Sequence, residues 1–392
     1  MAFSFALNNI RLCLAFLLFS TLSSVIYAAQ PPFTVTDLAN RKITFSEHPK
    51  RIILGDSRYL HALSILDQDN PIKPIAGMLS KLEWVDYGSY LEYQKRFPEI
   101  DNIPIIGRSS ADSFSIESAI ELKADLAIFS LDGHGPNARH ANTIRILEKA
   151  GIKVLFVDFR KAPLKNTPIS LMLLGKVLDK EAQAQRFIRY YQQQLNKVTA
   201  TINKLSPTQK KQVFIHSRVG VLNACCETMS RGMMADFIAT AGGHNIALSV
   251  IPGVAGVMNQ EYLLAQQPDV YIATAVGSKG MPKESPDDEL PYVMLGAGVP
   301  ENYAEQSLHQ ALVRYNLTSL TAVQTQQSYA LWHGFYNSPL NVVAVQVVAK
   351  WLYPEEFEGL NPNETLQYFF RHFQAIPLTG VYWTKLPKVV HE

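Results

Sequence analysis

The 392-residue chain has almost no excess of one charge: 36 Lys plus Arg stand against 34 Asp plus Glu, a formal +2. Gripping a polyphosphate takes many clustered cations that release counterions, so this balance excludes nucleic acid as a partner. No GxxxxGK[ST] phosphate loop is present. The glycines of "LGAGVPENY" (Gly296 and Gly298) neither follow a strand nor open a helix as a nucleotide loop requires. Cysteine is scarce, with three residues, Cys13, Cys225 and Cys226. Neither a Ser/His/Asp or Cys/His arrangement nor a zinc-type spacing is visible, which leaves no catalytic residue to name. The leading apolar run, "LCLAFLLF" (Leu12 to Phe19), falls far short of the ~20 residues a bilayer-spanning helix needs, and no later run reaches that length.

What is there is ordinary globular composition, 47% apolar and 18% charged, on a chain long enough for about two units of roughly 100 to 200 residues. The first 29 residues differ. Arg11 is their only charged side chain, and small residues follow the apolar run, the pattern of a cleaved secretory signal peptide. Cleavage after Ala28 or Ala29 leaves a soluble exported chain of net charge 35 minus 34, or +1. Cys13 follows Leu12 inside the apolar run, which argues against a lipid anchor. Cys225 and Cys226 then meet an oxidising compartment as neighbours. A strained vicinal disulfide, two reduced buried thiols and an intermolecular bridge all remain open.

Strand and helix signals alternate along the chain. "FTVTDLANRKITF" reads as a hairpin turning at Asn40. "RIIL", the segment at Ile75, "IPIIG" (103–107), Leu126 to Ser130 and Val154 to Val157 read as buried strands, with helical patterns between them. From Pro168 to Leu205 the alternation stops. A short helix joins a long amphipathic one at Leu178 to Asp179, with Phe187, Ile188, Tyr191, Leu195, Val198 and Ile202 at three- and four-residue steps. A second run follows: strands at "QVFIHS", "DVYIAT" and "SYALWH", helices at "RGMMADFIATAGG", "QEYLLAQQ", "LNVVAVQVVAKWL" and "NETLQYFFRHFQ". Both runs contain one sub-pattern, "SIESAIELKADLAIF" and "NQEYLLAQQPDVYIA": a polar cap, an acid, a short helix, an Asp and a buried strand. The expected architecture is α/β, two doubly wound lobes joined by one long rigid helix. Its boundaries are 1–29 for the signal, 30–166 for the N-terminal lobe, 167–205 for the linking helix and 206–392 for the C-terminal lobe.

"VTDLANRKITFSEHPKRIIL", "IPIIGRSSADSFSIESAIELKADLAIF", "LEKAGIKVLFVD", "ATAGGHNIA" and "NQEYLLAQQPDVYIA" resemble, in order and spacing, the helix-linked periplasmic binding proteins that serve ABC importers of iron-siderophores, haem or cobalamin. The resemblance implies a ligand cleft between the lobes, no catalysis and no resident cofactor. It also implies a monomer that delivers its ligand to a permease dimer in the inner membrane. The positions matching the glutamates that dock on that permease are Glu117 and Glu261. Each also reads as an acid in the first turn of a helix, where the dipole favours it.

In doubly wound lobes, ligands sit beyond the carboxyl ends of the strands. Loops there offer Arg58, Tyr59, Arg108, Arg218, Arg231, Trp332, His333 and Tyr336. Guanidinium groups pair with oxyanions and stack on flat rings, so these residues suit an anionic metal chelate of the iron(III)-siderophore type. Haem, cobalamin or a free metal are the alternatives within this architecture. An exported metal-dependent enzyme using His134, His140, His216 or His333 is a rival of another class, and a cofactor-assembly protein is disfavoured by the export signal. Asp132, His134 and His140 stand close in "DGHGPNARH", but their spacing fits no familiar metal pattern and Arg139 opposes a cation. The polar insertion "VGSKGMPKESPDDELPY" is expected to shape the cleft mouth.

Overall fold

The computed structural model describes residues 31–205, 210–222, 225–281 and 290–387. The expected signal peptide (1–29) and residues 282–289 of the polar insertion lie outside them. Phe33 and Thr44–Glu47 form a small compact unit in which the Phe33 and Phe45 rings stack at 5.3 Å. The remainder, Thr34–Ile43 and the chain from His48 onward, forms one large unit.

Strands β1 (Phe33–Thr36) and β2 (Lys42–Phe45) flank the expected turn, with Asn40 in the left-handed region at φ 61. The N-terminal lobe then runs β3 (Ile52–Leu54), α1 (Leu60–Leu66), β4 (Ile75–Met78), α2 (Leu82–Val85), α3 (Tyr87–Arg96), α4 (Ile116–Glu121), β5 (Leu126–Ser130), α5 (Ala141–Lys149) and β6 (Lys153–Val157). Its sheet is parallel in the order β4-β3-β5-β6. Every residue of β3, β4 and β5 is buried, as expected of strands covered on both faces. Phe129 and Phe156 have no exposed surface, and burying each contributes about 1.5–3 kcal/mol.

The segment 103–107, expected as a strand, makes only one bridge, Ile105 to Met78. Pro104 has no N–H to donate and offers only its carbonyl, which accepts from Met78 N at 3.0 Å, so the ladder cannot extend.

Helices α6 (Pro163–Val177) and α7 (Glu181–Ile202) connect the lobes. They turn at the junction anticipated from sequence, where Asp179 adopts φ 55. Twenty-two residues make α7 about 33 Å long. Its buried stripe packs on α1 and on α12 (Asn341–Leu352), and Tyr191 donates to Asn341 Oδ1 at 2.7 Å.

The C-terminal lobe runs β7 (Gln212–His216), β8 (Glu227–Met229), α8 (Met233–Thr240), β9 (His244–Asn245), β10 (Ala255–Val257), α9 (Gln260–Gln266), β11 (Val270–Ala275), α10 (Glu301–Arg314), α11 (Thr321–Gln324), β12 (Ser328–Trp332), then α12, α13 (Pro362–Phe373) and β13 (Trp383–Lys385). The main sheet has the order β13-β12-β11-β7-β9, parallel except for the edge strand β13. Strands β8 and β10 pair separately as an antiparallel ribbon.

The recurring sub-pattern forms the same local structure in both lobes. Ser115 and Asn259 cap α4 and α9 through side-chain bonds to Ser118 N and Tyr262 N. Lys123 and Gln267 both leave their helices with positive φ. Asp125 and Asp269 then accept from the start of the neighbouring strand, at Arg51 N and Gln212 N. Among the described residues, no helix is long and apolar enough to cross a membrane.

Candidate functional site

A cleft of about 710 Å³ lies between the two sheets. Its deep wall is built where strands end, which is where a doubly wound sheet exposes its loops. The loop after β3 brings Asp56 and Arg58. Asp56 takes the Arg58 guanidinium in a fork, from Nε at 2.9 Å and Nη2 at 2.7 Å, and accepts from Arg58 N at 3.0 Å. Asn337 Nδ2 adds a bond to Asp56 Oδ2 at 2.9 Å. Burial opposes the Asp56 charge, but the Arg58 guanidinium overrides it and holds the carboxyl at about 2. The same partnership holds Arg58 charged despite its burial.

Arg58 Nη1 also donates to the Tyr336 hydroxyl at 2.6 Å. Tyr336 comes from the 3₁₀ turn after β12, so this bond joins the lobes. His134, from the loop after β5, approaches the same hydroxyl through Nε2 at 3.3 Å. Burial first, then repulsion from Arg58, Arg160 and Arg218, pulls the His134 pKa down to about 4. His333 is driven well below its usual value, by burial and then by Arg218, Arg58 and Arg160. Its Nδ1 meets Thr274 Oγ1 at 2.9 Å. Two neutral imidazoles therefore line the cleft.

Two more arginines face this wall. Arg218, after β7, is held by Glu227 through Nη2 at 2.5 Å and Nε at 3.2 Å. Arg160, after β6, has no carboxylate partner among the described residues, and its Nε is buried without a hydrogen bond. Its guanidinium carbon lies 5.8 Å from the Tyr336 ring centroid. Glycine is required at position 133, because a Cβ there would come within 2.1 Å of Arg160 Nη1 and φ is +114. The opposite rim carries Trp84 and Tyr87, with Tyr292 and Lys279 from the segment after β11. Lys279 Nζ stands 3.9 Å from Glu83 and over the Tyr87 ring.

Of the residues expected at the cleft, Arg58, Arg218, His333 and Tyr336 line it. Tyr59 does not: it is 2% exposed and packs on Phe159 in the N-terminal core. Trp332 is also buried, edge-on to Phe335 and Tyr382. A Cβ on Gly334 would fall 2.3 Å from that indole, so the ring occupies the space a side chain would need. Arg231 points away from the cleft and ties the 248–253 loop together, donating to Ile251 O at 2.9 Å and to Leu248 O at 3.3 Å. Arg108 lies outside the lining, exposed over the Trp84 ring at 5.9 Å.

In the Asp132 loop only His134 reaches the cleft. Asp132 pairs with Arg139, and His140 bonds Asn137 at the entry to α5. Glu117 and Glu261 are exposed in the first turns of α4 and α9. Arg160 was absent from the sequence reading, although it follows the end of β6 and the same rule of strand ends would have found it. Trp84 and Tyr87 sit on the helices α2 and α3, and Tyr292 on an irregular segment; none directly follows the end of a strand, so that rule does not mark them.

Residues 85–288 match the sequence model of the family described as periplasmic binding protein. No curated protein matches the chain in sequence. Among solved structures, it is similar to the TroA-like periplasmic binding protein FepB from Veillonella parvula, at 21% identity and TM-score 0.78, covering 91% of this chain and 100% of that one. It is also similar to the molybdate-bound protein MolA from Haemophilus influenzae, at 17% identity and TM-score 0.66, with 89% and 99% covered. A periplasmic heme binding protein from Pseudomonas aeruginosa matches at 16% identity and TM-score 0.52, with 78% and 94% covered.

Proposed function

Because the chain belongs to the periplasmic binding protein family, with the lobes of its helix-linked class, we propose that it captures an anionic iron(III) chelate of the siderophore type and delivers it to the permease of an inner-membrane ABC importer. The observation that carries this reading is Arg160, a cation at the cleft wall with no carboxylate partner among the described residues. Arg58 and Arg218 are already neutralised by Asp56 and Glu227. An anion entering the cleft would supply Arg160 with its missing partner, and charge-assisted bonds of this kind are the strong ones. The aromatic faces of Trp84, Tyr87, Tyr292 and Tyr336 suit flat chelating groups.

Glu117 and Glu261 would dock on the permease. Each rises from the same cap, helix and strand unit of its lobe, an arrangement suited to a two-fold partner with basic pockets. A second reading has its own support: neutral His134 and His333 could complete the coordination of a metal centre with open positions, as in haem or a free metal ion. Native mass spectrometry of protein taken from iron-starved cells tests the choice. A one-to-one adduct with the iron isotope pattern and the mass of an organic chelator is expected; a haem, cobalamin or bare-metal mass would overturn it.

A further inference from the structure

The cleft leaves one cluster unused. His216 ends β7, and Cys225 and Cys226 immediately precede β8. A backbone bond from Ser217 N to Glu227 O at 2.6 Å holds the two segments side by side. In the structure the two cysteines are joined as a vicinal disulfide. One nitrogen of His216 and the two sulfurs all lie within 4.8 Å of one another, the one such group of three metal-binding side chains among the described residues. His216 and Cys226 are buried. His216 Nδ1 meets the Tyr271 hydroxyl at 2.8 Å. When Nδ1–H donates to that hydroxyl, the Nε2 lone pair is free, the arrangement in which a neighbouring group orients a metal-ligating histidine.

We propose that reduction of the Cys225–Cys226 disulfide opens a site for one soft or borderline cation, of the Zn²⁺ or Cu⁺ kind, held by both sulfurs and by His216 Nε2. Disulfide sulfur is a poor ligand and thiolate a strong one, so the bond between the cysteines closes the site and its cleavage opens it. Cleavage takes two electrons and two protons from a dithiol reductant, which leaves as its own disulfide. Both thiols then release their protons as the metal enters. Metal–donor distances of about 2.0–2.3 Å place ligands within about 4 Å of one another, so the three side chains need only small shifts to converge. None of the three side chains lines the cleft, although their sequence neighbours Ser217 and Glu227 do, Glu227 as the partner of Arg218.

The test titrates Co²⁺ into the mature protein in its oxidised form, and into protein reduced with a phosphine and desalted anaerobically. Thiolate-to-cobalt charge transfer absorbs in the near ultraviolet, whereas cobalt held by cleft imidazoles gives no such band. One equivalent of Co²⁺ is expected to develop the band in the reduced protein and none in the oxidised protein, with Zn²⁺ displacing it. His216→Gln should weaken binding at least tenfold, and Cys225→Ser with Cys226→Ser should abolish the band. Absence of the band in reduced wild type, a band indifferent to His216→Gln, or a disulfide that withstands the reductant in the folded protein would each overturn the proposal. The oxidised and reduced wild-type comparison stands even if a variant fails to fold.

Discussion

The Arg58 guanidinium and the Tyr336 hydroxyl, 278 positions apart in sequence, meet at 2.6 Å and join the two lobes at the floor of the cleft. Asp56 completes the arrangement from below. Tyr336→Phe should leave Arg58 Nη1 without its acceptor and lower stability by about 1–3 kcal/mol. Asp56→Ala should cost more, about 3–5 kcal/mol, because it strands a buried cation. Urea unfolding of both variants checks the order; equal, negligible losses would show that the network contributes nothing to holding the lobes.

Two arginines that each lie between a strand and the following helix should part company. Arg160→Gln is expected to weaken binding of an anionic chelate at least tenfold while leaving the melting temperature near wild type, since no ion pair is lost. Arg231→Gln should leave affinity unchanged and destabilise by about 1 kcal/mol through the loop carbonyls it bonds. Calorimetry and thermal melts on the two proteins separate the roles.

The depressed pKa of His134 makes a pH statement. Its folded value, about 4, lies below the unfolded value near 6.5, so the unfolded chain binds the extra proton first as pH falls. Stability is lost between about pH 6.5 and pH 4 and falls no further from this group below that. His134→Gln should show a shallower loss across that window, read as the difference between melting temperature curves. Parallel curves would mean that His134 titrates normally.

Glu117→Arg combined with Glu261→Arg should abolish uptake through the permease in reconstituted vesicles while leaving ligand affinity within about twofold of wild type. Loss of ligand binding in that variant would move these glutamates from docking to the cleft.

Much of this architecture could be read in advance because its signals are local. The uninterrupted burial of β5, and of β6 from Val154 onward, shows as apolar runs, and the stripe of α7 shows as a period of three and four. Helix α3 escaped because its sequence, YGSYLEYQKR, is largely polar, and α10 because Pro300 at its N-cap makes no side-chain capping bond. The site was half legible. Strand ends located Arg58, Arg218, His333 and Tyr336, but the direction of each side chain depends on distant partners. Arg231 turns to carbonyls seventeen to twenty-two positions away. Trp332 is claimed by Phe335 and Tyr382. Which of the arginines lining the cleft lacks a carboxylate among the described residues depends on how side chains pair in the fold, and that pairing singles out Arg160.

Titration calorimetry with two ferric complexes of similar size, an anionic tris-catecholate and an uncharged tris-hydroxamate, at low and high salt, probes the cleft's charge preference directly. The anionic complex should bind at least tenfold tighter, with an advantage that shrinks as salt rises and disappears in Arg160→Gln. Equal or tighter binding of the uncharged complex, indifferent to salt and to Arg160, would contradict it.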